Sequence, residues 1–145
     1  MPTTGGAGDY SETKDSQANV VEYTSSLGEQ VIQSGLVLGL PQSFTASGAV
    51  PSSASNVEIG AISGAITLTL PAASAVTAGH VLTVHDSNGS VSSSATVALQ
   101  TPASGGKIGA VAANTPSTSA AAYAFLNAAY TGVRLISNGT NWNPW

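Results

Sequence analysis

The chain has 145 residues, 42% of them apolar and only 7% charged, with a formal net charge of −4 and no cysteine. The missing cysteines exclude a disulfide framework, a cysteine-type zinc site and a thiol nucleophile. Three basic residues in total are too few to neutralise a nucleic-acid backbone.

The length suits one domain with a tail, and a compact chain of this size buries roughly 70% of its unfolded surface. The charges are unevenly placed. Asp9, Glu12, Lys14, Asp15, Glu22 and Glu29 carry the whole net charge, whereas Glu58, Asp86, Lys107 and Arg134 cancel over the rest of the chain. An average soluble domain is about 25% charged. A body this neutral has little charge protection against association and suits a protein fixed in an assembly.

The first 18 or so residues are rich in Gly, Thr, Ser and acidic side chains, a composition expected to be extended and ordered only by a partner. The opening MPTTGGAGDYSETKD has neither a basic n-region nor an apolar h-region and reads as no secretory signal. Val20, Tyr23, Leu27 and Val31 have roughly helical spacing, but Gly28, Gly35, Gly39 and the β-branched residues oppose a long helix. An extended arm with one or two short strands is expected there. Ile32–Leu40 is the most apolar short stretch and falls well short of the ~18 residues of a membrane span. Residues 41–56, PQSFTASGAVPSSASN, read as a linker. The expected division is therefore an arm and linker over 1–50 and a β-module over 51–145.

Strands are expected at Val57–Gly60, Ala65–Leu70, His80–Asp86, Ala95–Gln100, Lys107–Ala110, Ala121–Leu126, Gly132–Ser137 and Asn141–Trp142. The clearest alternation places Ile66, Leu68 and Leu70 on one face against Thr67 and Thr69, and Leu82 and Val84 against Val81 and Thr83. Asn88-Gly89 and Asn138-Gly139 read as type I′ turns, which need φ > 0 at both central residues. Ala120–Ala129 is the one place where a helical turn competes with a strand. Short strands with this turn spacing predict an all-β fold, a small sandwich or jelly-roll-like domain. Such a domain with few charges has little to blunt its sheet edges, and trimerisation would cover them.

Leu70-Pro71-Ala72-Ala73, Gly79, Asp86-Ser87-Asn88-Gly89 and Ser137-Asn138-Gly139-Thr140-Asn141-Trp142 occur in this order across about residues 57–145. In this the chain resembles a β-module of tailed-bacteriophage virion surface proteins: fibres, head fibres and capsid decoration proteins. Each element also has a physical reason. Pro71 cannot donate to a ladder and ends its strand. Asp86 can accept from backbone N–H groups and brace its turn. Gly89, Asn138 and Gly139 set turns, and Trp142 can fold a large ring back onto the preceding strand near Leu135. The resemblance implies a trimeric, β-rich structural protein. The chain departs from long fibres in having only about 55 residues before the module, with no triple-helical repeat, heptads or lytic domain. In that it is more similar to a head fibre or capsid cement protein.

The chemistry of the individual residues is sparse. His80 and His85 lie five apart and face opposite sides of one strand, so they cannot ligate one metal as a strand pair. His85-Asp86 with a serine would make an imagined triad, but adjacent strand residues point apart and no Gly-x-Ser-x-Gly elbow is present. Glu58 and Asp86 are the only carboxylates of the β-module, and a glycosidase needs two in one cleft. Gly5-Gly6-Ala7-Gly8 lacks the following Lys-Ser/Thr of a phosphate loop. Asn88-Gly89-Ser90 and Asn138-Gly139-Thr140 match glycosylation sequons and read as turns. Tyr123, Tyr130, Trp142 and Trp145 are either core or trimer contacts or a sugar-stacking platform.

The expectation is thus a non-enzymatic capsid decoration protein without cofactor or metal, on the outside of the virion head and made in the host cytoplasm. It would be a homotrimer that binds the major capsid protein, and neither nucleic acid nor membrane, through Val31, Ile32, Leu36, Val37, Leu38 and Leu40. The alternatives are a tail fibre or receptor-binding adaptor that touches host glycans, and a small glycan hydrolase.

Overall fold

The computed structural model describes residues 10–14, 20–25, 30–32 and 41–145. The chain divides into two compact units, Met1–Val37 and Leu38–Trp145. In the first, β1 (Tyr10–Lys14), β2 (Val20–Ser25) and β3 (Gln30–Ile32) form an antiparallel three-stranded sheet in the order β1-β2-β3. The expected arm is therefore a sheet of three strands, and Tyr10–Lys14, expected to wait for a partner, pairs with β2 of its own chain. Val31 and Ile32 lie in β3. Leu36, Val37, Leu38 and Leu40 lie outside the described residues.

The described residues of the second unit form nine strands in two sheets: β4 (Gln42–Phe44), β5 (Gly48–Ala49), β6 (Asn56–Ile59), β7 (Ile66–Thr69), β8 (Val81–Asp86), β9 (Val97–Gln100), β10 (Phe125–Leu126), β11 (Gly132–Ser137) and β12 (Trp142–Pro144). The five-stranded sheet has the order β12-β11-β8-β6-β4 and the four-stranded sheet β10-β9-β7-β5. From β4 to β9 the chain changes sheet at every step. Strands adjacent in a sheet are therefore two apart in sequence, and β4/β6, β6/β8, β5/β7 and β7/β9 are parallel. Parallel neighbours need a crossover, usually a helix. Here each crossover passes through a strand of the other sheet. Among the described residues of this unit, antiparallel ladders join only β10/β9, β11/β8 and β11/β12.

The all-β expectation holds, with two 3₁₀ turns, Ala73–Ala75 and Ala122–Ala124, as the only helical elements among the described residues. The jelly-roll expectation does not, because a jelly roll is built from antiparallel strands. Alternation of apolar and polar residues reports which face of a strand is buried and carries no information about the direction of its neighbour.

Alternation follows the predicted pattern in β7 and β8, whose inward residues are Ile66 and Leu68, and Leu82 and Val84, and β6 alternates likewise with Val57 and Ile59 inward. These join Val97, Leu99, Leu126, Leu135 and Trp142 in one core drawn from both sheets. The supposed linker is the largest departure, because it supplies β4 and β5. Neither strand has an apolar run of its own. Each is held by the parallel ladder to β6 or β7, and Gly48 leaves room for the Phe44 ring, which a Cβ there would meet at 2.9 Å. Lys107–Ala110 is no strand. Gly106 and Gly109 have positive φ, and only Ile108 makes bridges, to Val111 and Trp142. Ala121–Leu126 divides into the second 3₁₀ turn followed by β10.

The C-terminal hairpin fastens the two sheets together. Fully buried Trp142, in the five-stranded sheet, donates its indole N–H to the carbonyl of Pro71 at 2.9 Å, directly after β7 of the four-stranded sheet. Ser137, also buried, donates its hydroxyl to the Ala73 carbonyl at 3.0 Å, and its own carbonyl accepts from Gly79 N–H at 2.7 Å. Trp142 lies opposite Ser137 rather than Leu135, with Leu135 in the same core. Asn138-Gly139 is not a type I′ turn, since φ is positive at Gly139 alone. Asn138 instead uses its side-chain oxygen to accept from Thr140 and Asn141 N–H groups at 2.9 and 2.8 Å.

Two substitutions test this fastening. Trp142→Phe removes the indole donor, leaves the half-buried Pro71 carbonyl without its partner and shrinks a fully buried side chain, and is expected to cost about 1–3 kcal/mol in urea unfolding. Gly106→Ala drives a methyl group into the Thr140 carbonyl at φ +80° and should cost at least about 2 kcal/mol. A Gly106→Ala midpoint equal to that of the parent protein would contradict the packing described.

Candidate functional site

Asp86 ends β8 at the point where the chain leaves the five-stranded sheet, and it is 3% exposed. Its Oδ1 accepts from the backbone N–H groups of Asn88, Gly89 and Ser90 at 3.2, 2.9 and 3.3 Å. Its Oδ2 accepts from Val91 and Tyr130 at 3.1 and 3.0 Å. Burial alone would raise the carboxyl pKa, but the donors, led by Tyr130 and Val91, outweigh it and hold the group below its ordinary value. Gly89 and Tyr130 both have positive φ, and the Tyr130 ring lies against Gly89 where a Cβ would stand. Asn88-Gly89 is thus part of a carboxylate-braced loop between sheets and not the predicted type I′ hairpin. The carboxylate's hydrogen-bonding capacity is taken up by the fold, which gives Asp86 a structural role.

The outer face of the five-stranded sheet collects most of the remaining ionisable groups of this unit. The ladders put Glu58, His85 and Gly132 in one row across β6, β8 and β11, and Asn56, Thr83 and Arg134 in the next. The backbone N–H of Trp145 donates to the Arg134 carbonyl at 3.0 Å and extends that second row. His85 Nε2 lies 3.9 Å from Glu58 Oε1, both side chains being about one-third exposed. The Arg134 guanidinium stands 5.4 Å from the centre of the Trp145 ring, within cation–π range. A depression of about 320 Å³ lies beside that pair, lined by Tyr123, Val133, Arg134, Pro144 and Trp145 among others. A second, of about 420 Å³, is lined by Ser55, Val81, Thr83 and Arg134.

This geometry sorts the candidates read from the sequence. Glu58 faces outward and Asp86 inward, so the two carboxylates lie on opposite faces and share no cleft. His80 Nε2 donates to the Ala54 carbonyl, 2.8 Å away, and the ring packs edge-on against Trp142 at 6.0 Å, whereas His85 is on the outer face beside Glu58. His85 and Asp86 point apart, as adjacent strand residues do, and no triad forms. No cluster of three His, Asp or Glu able to hold a metal occurs among the described residues. The four aromatics do not make one platform. Trp142 is core, and the half-buried Tyr123 accepts the Ala110 N–H at its hydroxyl at 3.0 Å. Tyr130 and Trp145 are exposed, at 75% and 70%.

Sequence reasoning did not single out Arg134. The signal was present in GVRLIS, where a charged residue takes an outward position of an alternating strand, but its pairing with Trp145 depends on the hairpin register.

No protein-family model matches the chain, and no curated protein matches it.

The depressed Asp86 pKa makes a pH prediction. A carboxylate held below its unfolded value stabilises the fold above that value and withdraws the stabilisation as pH falls through the folded pKa. Stability should therefore be flat from neutral pH to about 4 and fall below it. Asp86→Asn keeps the shape but turns an amide donor toward backbone donors. It is expected to cost about 3 kcal/mol or more and to flatten the acid limb of a stability–pH profile. An unaltered acid limb in that variant would assign the acid sensitivity to another group.

Proposed function

We propose that the chain is a structural protein of a tailed-bacteriophage virion: a capsid decoration, or cement, protein bound as a homotrimer to the head exterior. In this reading the second unit is a β-sandwich that forms the displayed body. The first unit, with Val31 and Ile32 of β3, Leu36 and Val37, contacts the major capsid protein together with Leu38 and Leu40 of the segment that follows it. The protein has no catalytic role, cofactor or metal.

One observation carries this reading. Three of the four segments that resemble the virion module are bonded to one another: Pro71 to Trp142, Ala73 to Ser137, and Gly79 to Ser137. Residues far apart in sequence thus act as one structural unit, as a shared module requires and a chance string of turn motifs does not. The charge distribution supports the division of labour. The charges of the described body cancel, and the net charge of −4 resides in the first 30 residues.

The mechanism is linkage. A ligand that binds the assembled shell and not free subunits stabilises assembly by RT ln(1 + [L]/Kd) per site, so about 1–3 kcal/mol at each of many sites suffices. Heads lacking the protein should lose infectivity at a lower temperature than complete heads and regain resistance when it is added back. A chain beginning at Leu38 should keep the body's circular dichroism but fail to bind such heads. Sedimentation at micromolar concentration should give a trimer.

The exposed Arg134–Trp145 pair favours one second reading, a tail-associated receptor-binding or fibre-adaptor protein. Unchanged heat survival combined with lost host adsorption would select it. Glu58 and Asp86, on opposite faces, do not support a glycan hydrolase.

A further inference from the structure

We propose that the depression beside Arg134 and Trp145 is a binding site for an acidic saccharide. The sugar carboxylate would pair with the Arg134 guanidinium, and one sugar ring would stack on the open indole face. The proposal does not depend on whether the protein sits on a head or a tail.

Four observations carry it. Trp145 is 70% exposed, yet it is positioned: its N–H is bonded to the Arg134 carbonyl and its ring is backed by the Arg134 guanidinium at 5.4 Å. A flat aromatic surface held in advance loses little conformational entropy when a ring stacks on it. Among the described residues no carboxylate pairs with Arg134, so its fork of donors remains available for a planar anion. The nearest carboxylate–base contact on this face, Glu58 with His85, lies in the adjacent row of the ladder. The floor is firm, because Tyr123 is anchored through its hydroxyl to Ala110 and Gly132 packs closely on His85.

The ligand class follows from the charges. A single cation beside an aromatic plane in a depression of about 320 Å³ matches one carboxylate and one or two sugar rings. A phosphate-rich polymer would call for several basic groups, and Lys107 is the only other Lys or Arg in the sequence of the second unit.

The experiment titrates the full chain with trigalacturonate, and with maltotriose as the neutral control. It follows the indole N–H resonance of Trp145, which the buried Trp142 leaves separately resolved. Trigalacturonate should move the Trp145 resonance with a Kd on the order of 1 mM, a value typical of a small, shallow contact. Maltotriose should bind at least about tenfold more weakly, and Arg134→Gln should raise the trigalacturonate Kd by about tenfold or more. Added salt should weaken the acidic ligand alone. The unaltered protein suffices for the two-ligand comparison if Arg134→Gln does not fold. Equal response to both sugars, or no response at about 10 mM, would overturn the proposal. So would undiminished binding by Arg134→Gln. A Trp145→Ala chain that sediments as a smaller species would overturn it too, since the depression would then be a contact between copies.

Discussion

The buried carboxylate of Asp86 is the constraint on which the body depends. It stands where β8 leaves the five-stranded sheet, and it gathers four N–H groups of the loop that leads toward the facing sheet. It also takes the N–H of Tyr130, just before β11 returns to pair with β8. Backbone donors turned inward in an irregular loop have no ladder to satisfy them, and leaving them unpaired would cost more than the bonds themselves contribute. One ionised side chain resolves that for two loops at once. It does so only while charged, which makes an acidic residue, and not its amide, the fitting occupant.

The second fastening lies at the other side of the hairpin. Because the chain changes sheet at each step from β4 to β9, neighbours in a ladder are distant in sequence and no tight turn joins them. The architecture therefore needs ties between the sheets. Trp142 and Ser137 supply two of them by donating across to the carbonyls after β7. The indole contributes large apolar burial and a directional bond from one residue, a combination that only Trp and Tyr offer. Pro71 cannot donate to the ladder, so it ends β7 and frees its own carbonyl for the indole.

These ties hold together a body that carries few charges and has no converging acid–base groups among its described residues. Asp86 serves the fold, whereas Glu58, His85 and Arg134 lie spread over one outer sheet face. The decoration reading proposed above uses this body as the displayed part and the N-terminal unit as the contact.

Much of this was legible in the sequence where one residue decides its own environment. Ile66 to Leu70 and Leu82 to Val84 alternate because one face of each strand must leave water. Pro71 stops a strand by lacking an N–H, and Asp86 braces the turn beside it because short acidic side chains reach nearby backbone donors. Other features depended on partners distant in the chain. Gln42–Phe44 and Gly48–Ala49 are strands only because β6 and β7 offer open edges. Parallel pairing is invisible to a period-two pattern, which is the same for either direction. Asn138 and Asn88 avoid positive φ because an acceptor, the side-chain oxygen of Asn138 itself or the Asp86 carboxylate, satisfies the turn another way. Arg134 meets Trp145 only through the register of the last hairpin. The sequence by itself thus determined the buried faces of β7 and β8 and the stop at Pro71, since those are local consequences of side-chain chemistry. The tertiary structure alone decided direction, register and the contacts between sheets, since those are properties of pairs.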